Sequence, residues 1–367
     1  MKKLVIALAR GVLKFLNLLY RGRKLQDQVV IISRQSDVET LDIKMIREEL
    51  EKLNIKVKVL CKKLSGAGSA FHMLKQMKEI NSSKVVLLDS YCILASILPK
   101  REGQSVVQMW HALGAIKKFG WQSVGNESGR SDVVAEGMKM HSGYDYFLAA
   151  SDATEKFFRE AFKSDGKAVR LGLPRIDYLR KADPAIAGAI ARKYPQVARG
   201  ACAKKNVLYV PTFRRNAAIE MESLVEAFDF ETFNLIIKKH FLDKADYSFA
   251  RAKGAIVDDE FSSLEWFTLA DKVVTDYSAI SLEAAASGKE LIIYQPDASD
   301  YEEDNGLNMY FEKEAISPYF AKDEKGILDA LSKDYDMSLL EQFRDKYFEI
   351  SLDGVTAKLA SFIASLM

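Results

Sequence analysis

Short, β-branched apolar runs recur along the whole chain, and helical stretches separate them. In the first half the runs fall at 29–33, 57–61, 85–89, 106–110, 144–150 and 168–172. In the second they fall at 207–210, 234–238, 255–257, 272–275 and 291–294. Apolar runs of roughly 4–8 residues suit buried strands and are too short for helices. Between them, Ile43, Ile46, Leu50 and Leu53 recur at helical spacing, and further helical stretches lie at 71–80, 153–162, 263–269 and 278–287. Strands alternating with helices predict βαβ units and a largely parallel sheet. A polar, lysine-bearing stretch at 192–205 separates the two series, and there is no internal repeat. At 367 residues the chain is long for one core. The expected fold is α/β, with two doubly wound, Rossmann-like domains facing each other across a cleft. The expected segments are a helix at 1–26, domains at 27–190 and 191–335, and C-terminal helices in 336–367. By analogy with two-domain enzymes of this architecture, those last helices are expected to cross back to the first domain.

Composition sets limits. Hydrophobic content of 48% and charged content of 28% are ordinary for a soluble globular chain. A net charge of +2 gives no reason to expect a nucleic-acid partner. Cys61, Cys92 and Cys202 are widely spaced and odd in number. They point to a reducing compartment and away from a disulfide framework or a zinc site. No apolar run reaches the roughly 18 residues of a membrane-spanning helix. Residues 1–26, however, hold seven Lys or Arg and no acid. On a helix, Lys3, Arg10, Lys14, Asn17 and Arg21 share a stripe, and Leu4, Ile6, Leu8, Leu13, Phe15, Leu16 and Leu19 fill much of the rest. That pattern suits a helix lying in an anionic membrane interface. The alternatives are a helix docked on its own domain and a signal peptide. The signal peptide fits poorly, because charges split the apolar region and no cleavage-type sequence follows.

The chemistry gathers after the strands. The run at 106–110 ends in Trp110-His111, and Gly114, Lys117 and Lys118 follow. In open α/β sheets ligands bind outside the carboxyl ends of strands. A histidine there can accept a proton at neutral pH; the plainer alternative is a loop histidine beside solvated lysines. Four runs of the second half also end in polar groups: Thr212 and Arg214, Lys238 and His240, Thr275-Asp276-Tyr277-Ser278, and Gln295 with Asp297. In a parallel sheet these ends share one edge, so Arg214, Lys238, His240, Thr275 and Ser278 are expected to surround one anionic group. Arg214 carries a planar fork suited to phosphate oxygens. Ser278 precedes strong helix formers and fits an N-cap, which is either a plain cap or a phosphate site. His240 is either an imidazolium that stabilises a leaving phosphate or a surface residue. The acidic run Asp258-Asp259-Glu260 reads as a solvated turn rather than a metal site. His72 reads as structural and His141 as a loop or cleft residue. The histidines lack metal-ligand spacing, and neither a metal nor a cofactor is expected. Nucleophile elbow, Walker loop and dinucleotide fingerprint are all missing.

These pieces, in this order, resemble the CDP-glycerol glycerophosphotransferases that build teichoic acids. The pieces are Trp110-His111-Ala112-Leu113-Gly114 with Lys117-Lys118-Phe119-Gly120, then Gly172-Leu173-Pro174-Arg175-Ile176-Asp177, Tyr209-Val210-Pro211-Thr212-Phe213-Arg214, Lys238-Lys239-His240, Thr275-Asp276-Tyr277-Ser278 and Tyr294-Gln295-Pro296-Asp297. Ser33-Arg34-Gln35-Ser36 also looks like the short members of the family. Ala112 and Phe241 stand where the family usually has Gly and Pro. The resemblance implies a glycosyltransferase-B-type fold. It implies transfer of glycerol phosphate from a CDP-glycerol donor to a polyprenyl-diphosphate-linked saccharide acceptor, with release of CMP, at the cytoplasmic face of the cell membrane. His111 is then the proposed catalytic base, and Lys238, His240, Arg214, Thr275 and Ser278 bind the donor diphosphate. Trp110, Gly114, Lys117, Pro174, Arg175, Thr212, Asp276, Gln295 and Asp297 are further cleft positions. Residues 29–367 are taken up by the two domains, so one or a few additions are expected rather than polymerisation. CDP-ribitol as donor, polymerase activity, and a silent nucleotide-binding module are the alternatives.

Overall fold

The computed structural model describes residues 2–63, 68–126, 129–181, 183–213, 221–240 and 242–367. Two parallel sheets carry the chain. The first holds β1 (Gln26–Ser33), β2 (Lys56–Cys61), β3 (Ser83–Leu88), β4 (Ser105–Gln108), β5 (Tyr146–Leu148) and β6 (Lys167–Val169), in the order β2-β1-β3-β4-β5-β6. The second holds β7 (Lys205–Val210), β8 (Phe233–Ile237), β9 (Ile256–Val257), β10 (Lys272–Thr275), β11 (Glu290–Tyr294) and β12 (Phe320–Ala321), in the order β12-β11-β10-β7-β8-β9. Every neighbouring pair is parallel. Strands covered on both faces must be apolar throughout. Val29–Ile32, Val85–Leu88 and Leu291–Ile293 are accordingly fully buried.

The chain divides into two compact units. The first comprises 1–177, 304–306 and 347–367, and the second 178–303 and 307–346. The first unit thus ends ahead of position 190. Helix Pro184–Lys193, capped by Asp183, packs on helix Ser263–Trp266 of the second unit. Residues 347–367 lie in the first unit, where helix Val355–Ala364 packs on helix Leu41–Lys52. Asp177 caps that last helix, accepting from Val355 N at 3.0 Å, Thr356 N at 2.7 Å and Thr356 Oγ1 at 2.6 Å. β12, only two residues long, has no pattern to announce it.

Each sheet has one point where chain order reverses: between β1 and β3 in the first, and between β7 and β10 in the second. The crevice at such a point, beyond the carboxyl ends of the strands, is where open α/β sheets take ligands.

On the N-terminal helix Lys2–Arg21 the polar stripe is split: Lys3, Lys14 and Arg21 are exposed, Arg10 is half-buried and Asn17 turns inward. Asn17 is buried and its Oδ1 accepts from Asn81 Nδ2 at 2.6 Å. Leu13, Leu16 and Tyr20 pack on the first core, and Ile6 lies against Gly137. The helix is therefore docked, and its outer surface carries an apolar stripe with Lys3, Lys14 and Arg21 exposed as well. Leu4, Leu8, Val12, Phe15 and Leu19, spaced three or four apart, form an exposed stripe. No helix among the described residues is long and apolar enough to cross a membrane.

Candidate active site

In the first unit the site begins where β4 stops. The strand ends at Gln108, short of the expected Trp110, because Trp110 adopts φ +63°. A bulky residue in the left-handed region is strained and needs support. Gln108, fully buried, supplies it: its Oε1 accepts from Trp110 N at 3.0 Å, and its Nε2 donates to Ser90 O at 3.2 Å. The kink lays His111 against the Trp110 ring, with centroids 4.2 Å apart.

His111 is then oriented from two sides. Its Nδ1 lies 2.9 Å from the backbone oxygen of Asp89, just past β3. A carbonyl oxygen only accepts, so Nδ1 carries the proton and the neutral ring has its basic lone pair on Nε2. Burial pushes the imidazolium down to about 4, so the ring is neutral at physiological pH. On the other side, Arg175 Nη2 donates to His111 O at 3.1 Å. Arg175 itself is held by Asp42: its backbone N reaches Oδ1 and its Nε reaches Oδ2, both at 2.8 Å. Gln35, Asp42, Asp89, His111 and Arg175 line one small cavity of about 170 Å³. Burial also raises the Asp89 carboxyl to about 6, against hydrogen bonds from Ser33 and Ser90.

A larger cavity of about 630 Å³ shares Gln35 and Trp110 with the first and is also lined by Lys117 and His141. His141 is buried, with Nδ1 2.9 Å from Tyr144 Oη, and burial depresses its protonation to about 3. Gly114 is buried in the turn after His111, and Pro174 is buried just ahead of Arg175.

In the second unit the network forms at the reversal between β7 and β10. The Asp276 carboxylate accepts from Thr212 N at 2.9 and 3.0 Å, from Thr212 Oγ1 at 2.6 Å and from Tyr277 N at 2.6 Å. Gln295 Nε2 donates to Asp276 O at 3.2 Å, and Tyr277 Oη to Asp297 Oδ1 at 3.0 Å. Asp276 and Gln295 are buried, so this network shapes the edge from below. Thr275 is also buried and donates its hydroxyl to Val210 O at 2.8 Å. Its role in this geometry is to tie β10 to β7, unlike the expected phosphate contact.

Ser278 sits one residue further from its helix than expected. Helix Ile280–Ser287 has Ala279 at the cap position, while Ser278 Oγ accepts from Ile280 N at 3.3 Å. The half-buried hydroxyl remains at the helix N-terminus, where partial positive charge favours an anion. His240 stacks on Phe213 at 5.5 Å and so stands beside the end of β7. Its Nδ1 accepts from Leu242 N at 3.2 Å, which puts the ring proton on Nε2. His240 can thus donate a hydrogen bond as a neutral ring. Arg214 and Phe241 lie outside the described residues.

Lys238 and the first residue of the acidic run depart from expectation, while Asp259 and Glu260 are exposed. Asp258 is buried, not solvated. Its carboxylate accepts from Tyr194 Oη at 2.9 Å, Trp266 Nε1 at 3.0 Å and Phe261 N at 2.9 Å. Burial alone would raise its protonation, but these bonds hold it down at about 2. Lys238 Nζ donates to Asp258 O at 2.8 Å. The sequence concealed this hub because its side-chain partners come from distant elements. Among the described residues no cluster of three or more His, Cys, Asp or Glu side chains is arranged to hold a metal ion. Asp42, Asp89 and Gln108 were likewise missed; their only sequence signal is a polar residue at the end of a buried strand or the start of a helix.

Comparison with known proteins shows the family. Residues 15–365 match the family described as CDP-glycerol:poly(glycerophosphate) glycerophosphotransferase. A teichoic acid ribitol-phosphate primase of Bacillus spizizenii is 25% identical, over 93% of this chain and 92% of that protein. A teichoic acid glycerol-phosphate primase of Bacillus subtilis is 26% identical, over 81% of this chain and 77% of that protein. A solved structure of the wall teichoic acid polymerase TagF with CDPG shares the fold, with a TM-score of 0.69 and 17% identity over 99% of this chain and 96% of that one. The two-unit α/β fold is of the glycosyltransferase-B type, and the chain belongs to the CDP-glycerol glycerophosphotransferase family of teichoic acid synthesis.

Proposed function

We propose that this phosphotransferase moves glycerol phosphate from CDP-glycerol to a hydroxyl of a membrane-held, lipid-linked acceptor, in one or a few additions, and releases CMP. The observation that carries the reading is His111: neutral, proton on Nδ1, basic lone pair on Nε2, at the carboxyl edge of a parallel sheet. The acceptor hydroxyl gives its proton to Nε2 as its oxygen attacks the glycerol-bearing phosphorus. The bond from that phosphorus to the CMP oxygen breaks, and CMP leaves with the electron pair. In the second unit, Ser278 with its helix terminus, the Nε2–H of His240, and Arg214 stabilise the growing negative charge. Lys238 and Thr275 hold the edge in shape through Asp258 and Val210. Phosphoryl transfer depends chiefly on such positioning and electrostatics. The primase relatives, matched over most of their length, support the short product.

A second reading, CDP-ribitol as donor, is favoured by the ribitol-phosphate primase among the relatives. The test is CMP release from purified protein with each donor and a disaccharide-diphospholipid acceptor, with the products sized by mass spectrometry. Release from CDP-glycerol alone with one or a few additions is expected. Preference for CDP-ribitol, a long product ladder, or no release from either donor each overturns a stated part of the reading.

We further place the protein on the cytoplasmic membrane surface through its N-terminal helix. The exposed Leu4, Leu8, Val12, Phe15 and Leu19 stripe and the neighbouring Lys and Arg residues support this. Deleting the helix would strip cover from the first core, so substitution on its outer face is the cleaner test. Burying a Leu or Phe contributes about 1.5–3 kcal/mol. Leu8→Glu and Phe15→Glu are each expected to weaken sedimentation with anionic vesicles about tenfold or more, with the melting temperature unchanged. Undiminished sedimentation of the double variant would move the membrane contact elsewhere.

A further inference from the structure

The larger cavity of the first unit has a charge pattern that the chemistry at His111 does not require. Arg34, Lys117, Lys118 and Arg130 line it, with no acidic residue among the described residues of its lining. Arg34 Nη1 donates to Tyr91 O at 3.2 Å, and the Arg130 guanidinium lies 5.5 Å from the centre of the Tyr91 ring. Two guanidinium groups therefore flank one tyrosine. The buried Nε of Arg34 has no hydrogen-bond partner. Burial and the like charge of Arg130 both disfavour the charged form of Arg34. Like charges held together in a partly buried pocket cost free energy unless an anion joins them. Beside the cations, Trp110 and Phe119 stack at 4.5 Å and give an apolar floor of the kind that takes a sugar ring.

Two connections give the pocket an orientation. Trp110 and Gln35 line both this cavity and the one holding His111, so a ligand here adjoins the base. The segment that carries Arg130 continues into helix Asp132–Gly137, and Gly137 packs on Ile6 of the N-terminal helix. That helix turns its apolar stripe outward. One short helix therefore separates a cationic pocket from an apolar surface.

We infer that this cavity binds the diphosphate of an amphiphilic, lipid-linked acceptor: its oxygens between Arg34, Arg130 and the lysine pair, its sugar on Trp110 and Phe119. The inference rests on the proposed function and adds to it the acceptor's binding site. Guanidinium pairs suit a diphosphate because each fork takes two oxygens.

The test measures binding to the full-length protein by calorimetry. The probes are farnesyl diphosphate, farnesyl-diphosphate-linked disaccharide, inorganic diphosphate and CDP-glycerol. Arg34→Gln and Arg130→Gln are each expected to weaken both farnesyl diphosphates about tenfold and to leave CDP-glycerol within twofold. Arg130 is exposed, so its variant folds even if Arg34→Gln does not. Farnesyl diphosphate binding unchanged in the Arg130 variant overturns the assignment. An equal loss of CDP-glycerol binding gives the pocket to the donor and also overturns it. Inorganic diphosphate binding as tightly as the farnesyl compounds removes the lipid-linked ligand. Wild-type protein that binds the farnesyl probes in an Arg130-dependent way, yet releases CMP from neither donor, refutes the proposed reaction and leaves the pocket standing.

Discussion

Turnover of the His111→Ala variant falls by about 10²–10⁴, the usual cost of losing a general base, while donor binding persists. The protein stays folded, because the half-buried ring fills little of the core and Gln108 still holds the Trp110 kink. The pH profile separates a base from a merely structural ring. The folded-state value for His111 is depressed to about 4 from an ordinary 6.5, with burial as the leading cause. The lone pair is therefore available throughout the neutral range, and the acid limb of kcat/KM lies well below pH 6. An acid limb at 6.5 would show a solvated histidine and remove the orientation argument. Stability moves in a matching direction. His111 and His141 are both harder to protonate when folded than when unfolded. Their contribution is whole above pH 6.5 and is lost as pH falls through the folded values, at up to about 1.4 kcal/mol per unit for each. Folding is therefore followed alongside the rates below pH 6.5, so that an acid limb in the chemistry is told apart from loss of the fold.

The parallel strands were legible because burial on both faces demands unbroken apolar runs, and Val85–Leu88 or Leu291–Ile293 have no other explanation. The edges of those strands carried the motifs, so His111, Thr212, Asp276 and His240 could be read as edge residues from their position alone. What could not be read was how each side chain spends its hydrogen bonds. Thr275 looked like a phosphate contact, yet it is used up on Val210 O. Asp258 looked solvated because its neighbours in sequence are acidic, while Tyr194, Lys238 and Trp266 reach it through the fold. The left-handed turn at Trp110 has no signature in a residue type that normally avoids it. On the N-terminal helix, charge marked the polar stripe, but the first core has a buried Asn81 to satisfy. Asn17 was drawn inward with Leu13, Leu16 and Tyr20, while Lys3, Lys14 and Arg21 stayed exposed and Leu4, Leu8, Val12, Phe15 and Leu19 were left outside.

Arg175 shows how the two kinds of information combine. Its motif, Pro174-Arg175-Ile176-Asp177, gave it a place near the site and no task. The structure gives it one: Arg175 neutralises Asp42, which is 2% exposed, and passes a hydrogen bond on to the carbonyl of His111. Removing one partner of a buried ion pair leaves the other charged and desolvated, a loss of about 3–5 kcal/mol. Arg175→Ala is therefore expected to lower unfolding free energy by that amount in urea titrations. It is also expected to reduce kcat more than it raises the donor KM, because His111 loses its second anchor. Arg175→Lys does not rescue it, since a point charge cannot span the Asp42 oxygens and the His111 carbonyl together. The decisive comparison is the double variant Asp42→Asn with Arg175→Gln. Without a stranded charge it recovers much of the stability lost in Arg175→Ala, but not the turnover, because the anchor on His111 is still missing. If the double variant is as unstable as Arg175→Ala, the loss comes from packing and the charge argument fails. If it turns over like the wild type, Arg175 has no part in orienting the base.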